Sequence, residues 1–80
     1  MNTQSLIREA VASADISMIG ASRAMGKNDN YFASVVARGS TPKADTLAAM
    51  LEVCGYSLAA IPHADVPDTA LVIDPPETTG

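Results

Sequence analysis

Gly26 and Gly39 each stand where an apolar helical period breaks off, so the centre of this chain is confined to short helices joined by tight turns. Before Gly26, a helix is expected to open after Ser17, a good N-cap, and to run to Met25. Ile16, Ala21 and Met25 are its expected core contacts. Between the glycines, Phe32, Val35 and Val36 make a narrow apolar stripe, while Asn30, Ser34 and Arg38 fall on the opposite face. That spacing predicts a third helix over residues 28–38, with Asn28 as its N-cap and Asp29 at the positive end of its dipole. Gly20, inside the second helix, costs about 1 kcal/mol relative to Ala, and the pattern supplies no reason for it.

The flanks carry the same punctuation. Residues 3–14 read as a first helix capped by Thr3, with Leu6, Ile7, Ala10, Val11 and Ala14 on one face and Arg8, Glu9, Ala12 and Ser13 on the other. Ser40, Thr41 and Pro42 turn the chain into a fourth helix that ends at Gly55. Either Thr41 with Pro42 at the first helical position, or Lys43, begins it. Its apolar side is Ala44, Leu47, Met50, Leu51, Val53 and Cys54; Asp45, Ala49 and Glu52 face water. Beyond Gly55, the runs Ser57–Ile61 and Ala70–Asp74 are joined by a turn-rich connector, which predicts a C-terminal β-hairpin, a short fifth helix at Ser57 being the competing reading. The expected fold is thus mainly α, a bundle of four helices with a short C-terminal β-hairpin. Residues 1–61 form the domain, 62–74 an extension packed on it or on a partner, and 75–80 a disordered tail.

Eighty residues make one small domain, and a core of this size leaves no room for an elaborate enzyme pocket. No nucleophile–base set or pair of acid–base groups can be assembled, so no enzyme is expected. Cys54 is the single cysteine and is expected as a small core residue. With only the distant His63 to join it, neither a disulfide nor a metal site is expected, and no cofactor. The first residues carry Arg8 and Glu9 and no long apolar run, so neither a secretory signal nor a membrane span is expected there, and the chain is read as cytoplasmic.

The net charge of −4 argues against a polyanion partner until its distribution is examined. In residues 1–62 the five basic and five acidic side chains cancel, and the whole deficit lies in Asp65, Asp68, Asp74 and Glu77. In residues 17–43, Arg23, Lys27, Arg38 and Lys43 face Asp29 alone, a local charge of +3. A basic centre with an acidic tail is compatible with DNA.

At these residues a family resemblance becomes specific. Ile16-Ser17, Ala21-Ser22 and Met25-Gly26, in that order and spacing, resemble helix two and the turn of the lambda repressor/Cro-like helix-turn-helix DNA-binding domains. Arg38-Gly39-Ser40-Thr41-Pro42, with Leu47 and Leu51, resembles the loop and fourth helix of the same family, so the match covers about residues 16–55. The chain departs from the pattern at Met18, where the family often has Gln, and the stretch from Gly26 to Gly39 is one residue longer than usual.

The resemblance implies a transcriptional regulator of the phage-repressor kind, in a bacterial or phage-infected cell, that lays helix 28–38 in the major groove of double-stranded DNA. Asn28, Asn30, Ala33, Ser34 and Arg38 are the expected base contacts: an amide pairs with adenine, a hydroxyl with a base or phosphate, and a methyl with thymine. Ser17, Arg23, Lys27, Tyr31, Ser40, Thr41 and Lys43 are the expected phosphate contacts. So few contacts bind weakly as a monomer, so a homodimer through the C-terminal hairpin is expected. The alternatives of another class are a protein-interaction module on the same fold and an antitoxin that binds a toxin through its tail.

Overall fold

A computed structural model describes residues 1–75. Its four α-helices are α1 (Thr3–Ser13), α2 (Met18–Ala24), α3 (Tyr31–Arg38) and α4 (Ala44–Glu52), followed by a single 3-10 turn at His63–Asp65. Among the described residues there is no strand, and no helix is long and apolar enough to cross a membrane.

α1 is capped by Asn2 rather than Thr3. The Asn2 Oδ1 accepts from the Ser5 N–H at 2.8 Å, and Thr3 is buried as the first helical residue. Both residue types can cap, and the one placed three before a free N–H wins. Leu6, Ile7, Ala10 and Val11 then recur on one face and are buried. The helix stops at Asp15, whose φ of 57° is left-handed. The Ile16 N–H reaches back to the Val11 carbonyl at 3.5 Å and Asp15 N–H to Ala12 at 3.1 Å, the paired closure of a Schellman turn. This turns Ile16 outward, against expectation, to 36% exposure.

Ser17 opens α2 as expected, accepting from the Gly20 N–H at 2.9 Å. That contact also accounts for Gly20: a Cβ there would lie 3.2 Å from the Ser17 Oγ, so a side chain would crowd the cap. α2 ends at Gly26 (φ 74°), where Lys27 N–H bonds the Ser22 carbonyl and Gly26 N–H bonds that of Arg23, a second Schellman turn.

The third helix begins three residues later than its sequence signals imply. Asn28 does not cap it; its Oδ1 accepts from the Asn30 N–H at 3.0 Å and folds residues 28–31 into a turn. Asn competes for local backbone donors as readily in a turn as at a helix end. α3 therefore runs from Tyr31 to the left-handed Gly39. Of the two openings left for α4, the residue that precedes it is Lys43, and Ala44 is exposed rather than packed.

One core joins these elements. α1 packs on α3 and on α4, and α2 packs on α3. Phe32, Ile7 and Met50 are its largest fully buried side chains, ringed by Leu6, Ala10, Val11, Ala21, Val36, Leu47, Leu51 and Cys54. Burying a side chain such as Phe32 contributes roughly 1.5–3 kcal/mol, which is what holds the otherwise short α3 in place.

The C-terminal hairpin does not form. The connector folds on itself in two local turns, in which Asp65 N–H bonds the Pro62 carbonyl and Ala70 N–H that of Pro67. The far run spends its hydrogen bonds on the first residue of the chain. Met1 donates to the Val72 carbonyl at 3.3 Å, Asp74 N–H donates to the Met1 carbonyl at 3.0 Å, and the Met1 ammonium pairs with the Asp74 carboxylate. Tyr56 and Leu71 pack on the core, but Leu58, Ile61, Val72 and Ile73 remain exposed. The expected tail at 75–80 lies outside the described residues apart from Pro75.

Candidate nucleic-acid interface

α3 divides cleanly into two sides. Phe32 and Val36 are buried and Val35 packs against them, whereas Ala33, Ala37 and Arg38 are exposed. Asn30, just before the helix, continues the exposed ridge, so its i, i+3 and i+7 positions are Asn30, Ala33 and Ala37. Small side chains there let another surface approach the helix backbone closely. Ala37 belongs to this ridge and is not among the residues singled out from sequence, because an alanine carries no chemical signal until its exposure is known.

Beside the ridge, Asn28, Tyr31, Ser34, Val35, Arg38 and Ser40 line a surface depression of about 210 Å³. Four of the five expected base or phosphate contacts drawn together here are polar or basic: Asn28, Ser34, Arg38 and Ser40, with Tyr31 as the wall. Gln4 fixes the far lip, its Nε2 donating to the Ser40 carbonyl at 2.9 Å, a link from α1 that no sequence spacing announces. The two asparagines differ in what they have left. Asn28 has committed its Oδ1 to the turn, while the Asn30 side chain makes no hydrogen bond among the described residues and keeps both an acceptor and donors.

The expected phosphate contacts are not gathered in one place. Ser17 is exposed and its Oγ is occupied as an acceptor by the α2 cap, which leaves its O–H to donate. Thr41 and Lys43 are exposed on the α3–α4 connection. The Lys27 ammonium lies 5.5 Å from the centre of the Tyr31 ring, within cation–π range. Tyr31 also meets the Phe32 ring edge-on at 6.3 Å, so it links the surface to the core. Arg23 is paired: its Nε donates to Asp29 Oδ1 at 2.8 Å and its Nη2 to Oδ2 at 2.9 Å. These bonds raise the Arg23 pKa and hold the Asp29 carboxyl below its ordinary range.

What aligns α3 relative to α2 is a buried hydroxyl. Ser22 Oγ donates to the Met18 carbonyl at 2.8 Å and accepts from the Phe32 N–H at 3.0 Å. Phe32 N–H is one of the free donors of the first turn of α3, so α2 supplies the partner that α3 has no cap to provide.

Comparison with family models, with curated proteins and with solved structures yields no match to this chain.

Proposed function

We propose that the chain is a sequence-specific double-stranded DNA-binding domain of the lambda repressor/Cro-like helix-turn-helix kind, a transcriptional regulator that lays α3 in the major groove. The observation that carries this reading is the two-sided α3. One side is anchored in the core by Phe32 and Val36, and the other is a ridge of small residues flanked by Asn28, Ser34, Arg38 and Ser40 with no packing of its own. A helix so placed fits the major groove, and its N-terminal end reaches base edges. Asn30 is the residue equipped for a bidentate adenine contact. Ala33 and Ala37 suit thymine methyls, and Ser34 and Arg38 take a base edge or the adjacent backbone. Tyr31, Ser40, Thr41, Lys43, Ser17 and Lys27 make the surrounding phosphate contacts.

Selection of duplexes from a randomised library tests this. A shared sequence motif is expected, and its loss in Asn30→Ala with retained binding to random duplex marks Asn30 as a base reader. Selection that enriches nothing contradicts the reading.

The exposed apolar strip of Leu58, Ile61, Val72 and Ile73 supports a protein partner, and a second copy is the one the DNA reading calls for, since two half-sites make up for few contacts per chain. The strip takes the role expected of the hairpin. Light scattering that gives a strict monomer at high micromolar concentration contradicts the dimer. A monomer that also fails to bind DNA favours the protein-interaction module or antitoxin reading.

A further inference from the structure

We propose that the depression beside α3 is the seat of one DNA backbone phosphate, so that Asn28, Ser34 and Arg38 hold the duplex without reading its sequence. This assignment rests on the DNA-binding reading and leaves base recognition to Asn30, Ala33 and Ala37. Asn28, Tyr31, Ser34, Val35, Arg38 and Ser40 line the depression, and none of the three ridge residues does. Tyr31, Ser34 and Val35 are half-buried and make its floor, while Asn28, Arg38 and Ser40 are exposed around it. Base edges lie at the bottom of a DNA groove, and phosphates stand out along its walls. A convex ridge reaches the first, and a hollow beside it receives the second.

The lining chemistry is that of an oxyanion site. Every lining side chain except Val35 can donate a hydrogen bond, and no carboxylate is among them. The Asn28 Oδ1 is held by the Asn30 N–H at 3.0 Å, so this amide has donors to give but no free donor–acceptor edge for adenine. Gln4 donates to the Ser40 carbonyl at 2.9 Å, so that acceptor is already engaged. Arg38 takes part in neither ion pair found among the described residues, which are Met1–Asp74 and Arg23–Asp29. In a chain of net charge −4, a hollow lined by a guanidinium and no acid selects an anion over a cation or a basic peptide.

A phosphate is present at every step of a duplex, whatever its sequence. Contacts in this hollow therefore strengthen random and preferred sequence alike, and fix where along the groove the ridge is laid. The lining residues also divide by charge. Arg38, at the end of α3, brings the positive charge that displaces a counterion, whereas Ser34 and Asn28 bring neutral donors. Loss of Arg38 thus changes the salt dependence of binding, and loss of Ser34 does not.

The full chain and its variants Arg38→Gln, Arg38→Lys and Ser34→Ala are to be titrated with a random and a selected duplex between about 50 and 200 mM salt, with thermal melts confirming the fold. Arg38→Gln is expected to bind both duplexes about tenfold more weakly at the lower salt. Its salt slope should be shallower by about 0.9, and its selected-to-random ratio unchanged within about twofold. Arg38→Lys should keep the wild-type slope, and Ser34→Ala should weaken both duplexes equally with no change of slope. Single methylphosphonates scanned along the selected duplex should locate the seat: one position costs the wild type affinity and costs Arg38→Gln nothing further. A loss concentrated on the selected duplex, or a changed motif, overturns the assignment, because Arg38 then reads a base. Unchanged binding of both duplexes by Arg38→Gln and Ser34→Ala overturns it as well. Failure of the parent reading looks different: the wild-type chain binds neither duplex at the lower salt, and both proposals fall together.

Discussion

The buried Ser22 hydroxyl accepts a hydrogen bond from the Phe32 backbone N–H at 3.0 Å while donating to the Met18 carbonyl at 2.8 Å. One side chain thereby holds the orientation of α3 against α2, and it stands fully buried next to the ring that anchors α3. Removing it leaves a buried donor without a partner, and that penalty exceeds the loss of an average hydrogen bond. Ser22→Ala is expected to destabilise the fold by roughly 1–3 kcal/mol, read as a lower urea midpoint with an unchanged slope. Unaltered stability would mean that α3 finds its orientation from packing alone.

Asp15 offers the opposite opportunity. It ends α1 with φ at 57°, a left-handed conformation that costs an ordinary side chain roughly 1–2 kcal/mol and glycine almost nothing. Asp recovers part of that cost. Asp15→Gly is therefore expected to raise stability by about 0.5–1 kcal/mol, seen as a higher melting temperature. A loss on this substitution would show that the Asp15 side chain contributes more than its backbone strain removes.

Burial pushes the Cys54 thiol above its ordinary pKa of 9.0. The sign follows from the protons bound: above pH 9 the unfolded chain begins to lose its thiol proton while the folded chain keeps it, so stability falls as pH rises. Below pH 9 the thiol is neutral in both states and its contribution is constant. The stability difference between the wild type and Cys54→Ala is expected to be flat from pH 6 to 8 and to narrow above pH 9. The folded protein should also react slowly with thiol reagents. A difference that widens above pH 9 would contradict the burial of Cys54.

The helices were legible because apolar period and stop signals agree: Leu6, Ile7, Ala10 and Val11 repeat on one face, and Gly26 and Gly39 close α2 and α3 with left-handed backbone. Their starts were less so. Asn2 and Thr3 are both cap types, and Asn28 satisfies a turn donor by the same chemistry that satisfies a helix end, so residue type alone does not separate the two uses. The hairpin was misread for a longer-range reason. Ser57–Ile61 and Ala70–Asp74 have strand-like composition, but which backbone the second run bonds depends on Met1, at the opposite end of the chain. The Arg23–Asp29 pair escaped notice because six residues fit no helical spacing; only the turn at Gly26 brings them together. Of the candidate site, the stripe of α3 was readable, and the grouping of Asn28, Ser34, Arg38 and Ser40 required the fold.

In the proposed complex α3 and its flanks meet the DNA. Amide chemical-shift mapping reads that contact residue by residue, with the ¹⁵N-labelled chain titrated by a selected duplex at 50 mM salt and again at 200 mM. Shifts concentrated in residues 28–40 are expected, with smaller ones at Ser17 and Lys43, and a marked loss of binding at the higher salt. No shift at 50 mM salt, or shifts confined to the strip from Leu58 to Ile73, would contradict it.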